Sequence, residues 1–176
     1  MHTIYIIVYR VSVVRWYDCQ PQVPKFAICH LPLLILLLFG VNMKKNISMS
    51  DLLPFIEEAF SRNTTFKIPI TGTSMNPYLV QGRDFVFIEK PRFPLEIGDI
   101  PLYRRDDGAF VLHRIVGKNE NGYIMCGDNQ FLLEKNITDK HIIGVVCAFC
   151  RDGKTFGVTD ADYIKYKNKY VENVKK

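Results

Sequence analysis

The chain is poor in several features that mark large protein classes. It has five cysteines in 176 residues, and the only close pair is Cys147-Ala148-Phe149-Cys150. A structural zinc site needs four ligands at workable spacing, and no second C-x-x-C completes one. On a strand, residues three apart also face opposite sides. The odd cysteine count fits reduced thiols in a reducing compartment better than a disulfide framework. Neither His113 nor His141 has a carboxylate or histidine cluster at close spacing, so neither a metal nor a cofactor is expected.

Long apolar runs are scarce as well. The run Leu31 to Val41 covers 11 residues, short of the roughly 20 that a membrane-crossing helix requires. Extending it back to Phe26 passes through His30 and Cys29, which makes a single anchor around Phe26–Val41 the weaker alternative. The run starts late, behind a tyrosine-rich stretch, and no small-x-small pattern follows it, so a secretory signal peptide is disfavoured. Acidic residues are nearly missing from residues 1–42, where Asp18 stands alone beside the chain's one tryptophan, Trp16. Met43-Lys44-Lys45-Asn46 then reads like an ordinary bacterial N-terminus. Residues 1–42 are accordingly read as upstream sequence from a misassigned start, which implies a cytoplasmic protein. The net charge of +5 falls to +3 without that segment, which carries Arg10, Arg15 and Lys25 against Asp18.

What remains is enough for one modest core, since 48% of the residues are apolar. Residues 43–65 hold a helix that Ser50 can cap, with Asp51 in its first turn and Leu52, Phe55, Ile56, Ala59 and Phe60 at helical spacing. Residues 66–158 read as strands: 66–71, 84–89, 99–104, 109–118, 122–127, 141–149 and 155–158. Asp107-Gly108, Asn121-Gly122 and Asp152-Gly153 sit between apolar runs and favour positive φ, so each signals a hairpin. Residues 159–176 read as a basic helix with Tyr163, Tyr166 and Tyr170 on its less polar side. A solvated helical face is the default for it, and contact with anionic lipid is the alternative its lysines suggest. The fold class is mainly antiparallel β with an N-terminal and a C-terminal helix.

Two stretches carry chemistry. Ile70-Thr71-Gly72-Thr73-Ser74-Met75-Asn76-Pro77 presents a serine just after a strand and a glycine, where a sharp turn can expose a hydroxyl. Phe110-Val111-Leu112-His113-Arg114-Ile115 places a histidine inside an apolar strand pattern. A serine hydroxyl needs a base to take its proton, so Ser74 with His113 is a candidate activated pair. Gly72 lets backbone approach a substrate strand, Pro77 stiffens the exit, and Met75 can pack beneath the site or line a pocket. Gly72, Met75 and Pro77 are therefore the candidate substrate-binding residues. Taken alone, His113 would be a core histidine and Met75 ordinary core.

G-x-S-M-x-P, then Gly98-Asp99-Ile100, then Leu112-His113-Arg114-Ile115, then Gly127-Asp128-Asn129 resembles, in that order, the serine peptidase superfamily of type I signal peptidases and self-cleaving phage and SOS repressors. The likeness covers roughly residues 66 to 147. Many of those relatives pair the serine with a lysine; His113 here resembles the endoplasmic-reticulum and archaeal signal peptidases instead. The resemblance implies a third, acidic member that orients the imidazole. Asp128, in the better-matched motif, is preferred, and Glu134 six residues later is the alternative. It further implies that the Ser74 backbone N–H, helped by the Thr73 hydroxyl, holds the oxyanion, and that small residues precede the cut.

The expected function is a serine endopeptidase acting on an exported or leader-bearing peptide. The alternative is an inactive module of the same fold that holds extended peptides. A self-cleaving transcription regulator is disfavoured, because about 20 residues between Met43 and the first strand cannot hold a helix-turn-helix domain. No nucleic acid partner is expected.

Overall fold

The computed structural model describes residues 48–174. The expectations placed on residues 1–42, including the upstream start and the Phe26–Val41 anchor, lie outside the described residues. Helix α1 (Met49–Ser61) begins two residues before the sequence predicts. Ser48 is its cap: the Asp51 N–H donates to Ser48 Oγ at 3.2 Å, and the Ser48 N–H donates back to the Asp51 carboxylate at 3.0 Å. That reciprocal box needs an acid three residues after the cap, which selects Ser48 over Ser50. Ile56 and Phe60 face the core, while Phe55 is 59% exposed.

Nine strands follow: β1 (Phe66–Pro69), β2 (Asp84–Glu89), β3 (Pro101–Arg104), β4 (Phe110–Leu112), β5 (Arg114–Asn119), β6 (Gly122–Cys126), β7 (Glu134–Ile137), β8 (Ile142–Arg151) and β9 (Lys154–Gly157). All their pairings are antiparallel. One sheet runs β1-β2-β8-β3-β4, with β9 also on β8; the other is β5-β6-β7. Helix α2 (Ala161–Val174) closes the chain. The mainly antiparallel β class with a helix at each end is therefore observed. Of the three hairpin dipeptides, Asp152-Gly153 is clearest: both residues have positive φ, 49° and 78°, and Arg151 pairs Lys154 across them. Two apolar clusters form the core. Ile56, Leu79, Val86, Ile88 and Ile100 belong to the first, under α1 and the large sheet. Tyr103, Ile115 and Met125 centre the second, between the sheets.

The predicted single arm over 109–118 is in fact two strands. Leu112 still pairs Leu102 in the first sheet, whereas Arg114 pairs Cys126 in the second. His113 is the residue between them and belongs to neither ladder. Two consecutive buried polar side chains must each find a partner, and leaving the first sheet lets His113 and Arg114 reach different ones. Strand β7 was not predicted. It is a short polar edge in which Lys135 and Asn136 are exposed and Asn136 has φ 64°, so it shows no apolar alternation to read.

Candidate functional site

The turn carrying Ser74 follows directly from β1. Ile70 N–H donates to Asp84 O at 3.0 Å, extending the ladder one residue past the strand. Gly72 then takes φ 74°, a conformation that only glycine adopts freely, and the chain leaves the sheet. Its N–H donates to Gln81 Oε1 at 2.7 Å. Leu79 N–H closes the turn on Met75 O at 2.9 Å. Met75 and Leu79 are both sunk in the core, at 3% and 0% exposure. These anchors hold Ser74 half-buried at the rim of a cleft.

The cleft has a volume of ≈ 940 Å³ and is lined by Ser74 and His113 together with Ile68, Ile70, Phe110 and Leu112. Since β1 and β4 end the strand order yet both line the cleft, the sheet curls until its two edges flank one opening. Gly72, Thr73 and Met75 also line it, whereas Pro77 does not. Pro77 follows a cis peptide bond after Asn76, in the part of the turn that leads away from the cleft toward Tyr78.

The loop after β6 is fastened to the serine turn. Asn129 N–H donates to Ser74 O at 2.8 Å, and Asn129 Nδ2 donates to Thr73 O at 3.3 Å. Gly127 fits between the two candidate reacting residues. A Cβ there would stand 2.7 Å from Ser74 O and 3.1 Å from His113 Nε2. The approach therefore needs a residue without a side chain.

His113, 3% exposed, is held by its other nitrogen. Its Nδ1 lies 3.0 Å from Glu134 Oε1 and 3.3 Å from the Tyr103 hydroxyl. Glu134, the first residue of β7, sits opposite Met125 in the second sheet and is gripped by Arg105, which donates through Nε at 2.6 Å and Nη2 at 2.5 Å. Burial alone would raise the Glu134 pKa, but the hydrogen bonds from His113 and Arg105 outweigh it and bring the value down to about 2. An ionised carboxylate can only accept, so Nδ1 is the nitrogen that donates to Glu134, and in the neutral ring the lone pair is on Nε2, on the Gly127 side. Burial pushes the Tyr103 phenol well above its usual range, so it stays protonated beside the ring.

The preference for Asp128 as the orienting acid is corrected by this geometry. Asp128 makes no hydrogen bond with His113 and accepts from Arg114 through Nε at 2.8 Å and Nη2 at 2.7 Å. Both side chains are wholly buried. A bidentate guanidinium–carboxylate pair satisfies both buried charges at once, and His113 offers Asp128 no comparable partner. Glu134 takes the imidazole instead. The structure thus brings together Ser74, Thr73, Gly72, Met75, His113 and Glu134, and leaves Asp128 and Pro77 behind them.

Ser74 Oγ makes no hydrogen bond with any described residue, and neither the Ser74 N–H nor the Thr73 hydroxyl has a partner among them. The rim therefore presents unused donors next to a buried, oriented imidazole. Sequence reasoning missed Arg105 and Tyr103, which lie on or just beyond β3 and carry no motif. It named Tyr163, Tyr166 and Tyr170 but not their place. Their spacing of three and four residues was the available signal for a packed stripe, and all three are at least half-buried against Arg114 and Asp128. The solvated-face expectation for α2 therefore holds only for its outer side, where Lys165 and Lys169 are exposed.

Among the described residues, no group of three or more His, Cys, Asp and Glu side chains is placed to hold a metal ion. No described helix is long and apolar enough to cross a membrane. No family model matches the chain, and no curated protein matches it. The fold and site define a mainly antiparallel β protein whose cleft joins a serine turn to a Glu-oriented histidine.

Proposed function

We propose that this protein is a serine endopeptidase, similar in design to the histidine-type signal peptidases, that cuts an extended peptide of the exported or leader-bearing kind. One observation carries the reading: Glu134 fixes Nδ1 of His113 while Nε2 and Ser74 O lie against the same glycine. In this reading His113 Nε2 takes the proton from Ser74 Oγ as the oxygen attacks the peptide carbonyl carbon. The ionised Glu134 balances the imidazolium that forms. Negative charge gathers on the former carbonyl oxygen, where the Ser74 N–H and the Thr73 hydroxyl are free to donate. The imidazolium then hands its proton to the leaving amine. Water, deprotonated by the same Nε2, releases the acyl group and restores Ser74.

The two sheet edges bordering the cleft support an extended substrate. Edge strands offer unpaired backbone groups to an added peptide strand, and pockets beneath alternate side chains select among sequences. Ile68, Ile70, Phe110 and Leu112 make those pockets apolar.

The test is reaction of the full chain with a serine-directed covalent probe, read by mass spectrometry of the labelled peptide. Labelling at Ser74 that is lost in Ser74→Ala and falls at least about 100-fold in His113→Ala supports the peptidase, because a general base contributes about that much or more. Wild type that labels no better than either folded variant overturns it and leaves a peptide-binding module of the same fold.

A further inference from the structure

Helix α2 touches three of the segments that supply the candidate site, and it does so through three tyrosines. From the serine turn, Tyr78 stacks on Tyr166 with ring centroids 4.5 Å apart and leans on Tyr163 at 5.3 Å. From the residue after His113, the Arg114 guanidinium lies 5.6, 5.7 and 5.5 Å from the ring centroids of Tyr163, Tyr166 and Tyr170. From the loop beneath Ser74, Asp128 and Gly127 are both bonded to the helix.

Leucines could pack this face as densely, but they could not do what the hydroxyls do. Arg114 Nη1 donates to Tyr163 Oη at 2.9 Å. Tyr166 Oη donates to Asp128 Oδ2 at 3.1 Å, and Tyr170 Oη donates to Gly127 O at 2.8 Å. The first two bonds hold the buried charged pair, and the third is made directly to backbone and so fixes where that segment sits. Gly127 matters most, because the space a side chain would take there is bordered by both Ser74 O and His113 Nε2. A reacting pair misplaced by a fraction of an ångström loses rate steeply.

We infer that α2 positions the site, and that the Tyr170 hydroxyl, through the Gly127 carbonyl, sets the approach of His113 Nε2 to the Ser74 turn. This inference rests on the reading of Ser74 and His113 as the reacting pair. Tyr170 is a positioning residue in it, without contact to substrate.

The full chain carrying Tyr170→Phe keeps the ring and removes only the hydroxyl. The expected result is a drop of about tenfold in the Ser74 labelling rate at saturating probe. It comes with a shift of the His113 ring nitrogen resonances and the Asn129 amide in NMR spectra. Lys169→Ala, on the exposed side of α2, labels and resonates like wild type. A lower unfolding midpoint with unchanged labelling rate and unchanged His113 and Asn129 resonances makes the hydroxyl merely structural and overturns the inference. Should Tyr170→Phe fail to fold, the same comparison in Tyr166→Phe decides it. If wild type never labels, the peptidase reading falls, while the resonances still show whether α2 sets the geometry around His113.

Discussion

Replacing Glu134 with glutamine removes one negative charge from a place where three donors converge, Arg105 Nε, Arg105 Nη2 and His113 Nδ1. Its pKa drops from the usual 4.5 to about 2 on folding, and at about 1.4 kcal/mol per unit this shift stabilises the fold by about 3 kcal/mol at most. Arg105 is 35% exposed, so solvent screening reduces the figure to about 2 kcal/mol. The sign follows from the direction of the shift. A carboxylate with a depressed folded-state value contributes fully above its unfolded value, and the contribution fades as pH falls from 4.5 toward 2. Urea unfolding of Glu134→Gln should therefore show a deficit of about 2 kcal/mol at pH 7 that shrinks to less than about half by pH 3. Chemistry should suffer more than stability. An amide that turns its NH2 toward Nδ1 forces the proton onto Nε2, where it blocks acceptance from Ser74, and probe labelling should fall about 100-fold or more. Labelling at the wild-type rate would remove Glu134 from the site. A deficit equally large at both pH values would show that its charge does not stabilise the fold.

Two further substitutions separate the site from its support. Gly127→Ala puts a methyl group 2.7 Å from Ser74 O and 3.1 Å from His113 Nε2, and backbone cannot yield as a flexible side chain would. It should cost about 1–3 kcal/mol in denaturant unfolding and abolish Ser74 labelling in the fraction that folds. Arg114→Met leaves Asp128 buried with its principal cation gone. Its stability should fall by about 3–5 kcal/mol by the same measurement, the double variant Arg114→Met, Asp128→Leu should recover much of the loss, and an unchanged single variant would refute the reading of the pair as mutually dependent.

The β class was legible because its signals are local. Turn dipeptides such as Asp152-Gly153 need positive φ whatever surrounds them, and strands such as β2 and β8 have apolar interiors, with polar residues only at their ends. Ser74 and His113 were legible for a different reason, since each sits in a stretch whose residue types imply a turn or a buried strand. What stayed hidden depends on partners distant in sequence. Whether Asp128 or Glu134 reaches the imidazole is decided by the change of sheet at His113, and nothing in Leu112-His113-Arg114 announces that change. The β7 strand that delivers Glu134 is polar and short, so it carries no periodic signal. The tyrosines of α2 looked like a less polar face until Arg114 and Asp128 supplied their counterparts. Tertiary pairing of buried charges chose among options that local chemistry left equal.

The cleft between β1 and β4 also bears on how the edges of the large sheet are protected. Exposed sheet edges are templates on which another molecule can add a strand, and proteins usually blunt them with charge, proline or a covering element. Here the two edges are four and three residues long and face each other across a common opening. A neighbouring sheet that approaches one edge meets the other as well. The curl that forms the cleft thus also guards both edges against fibre growth.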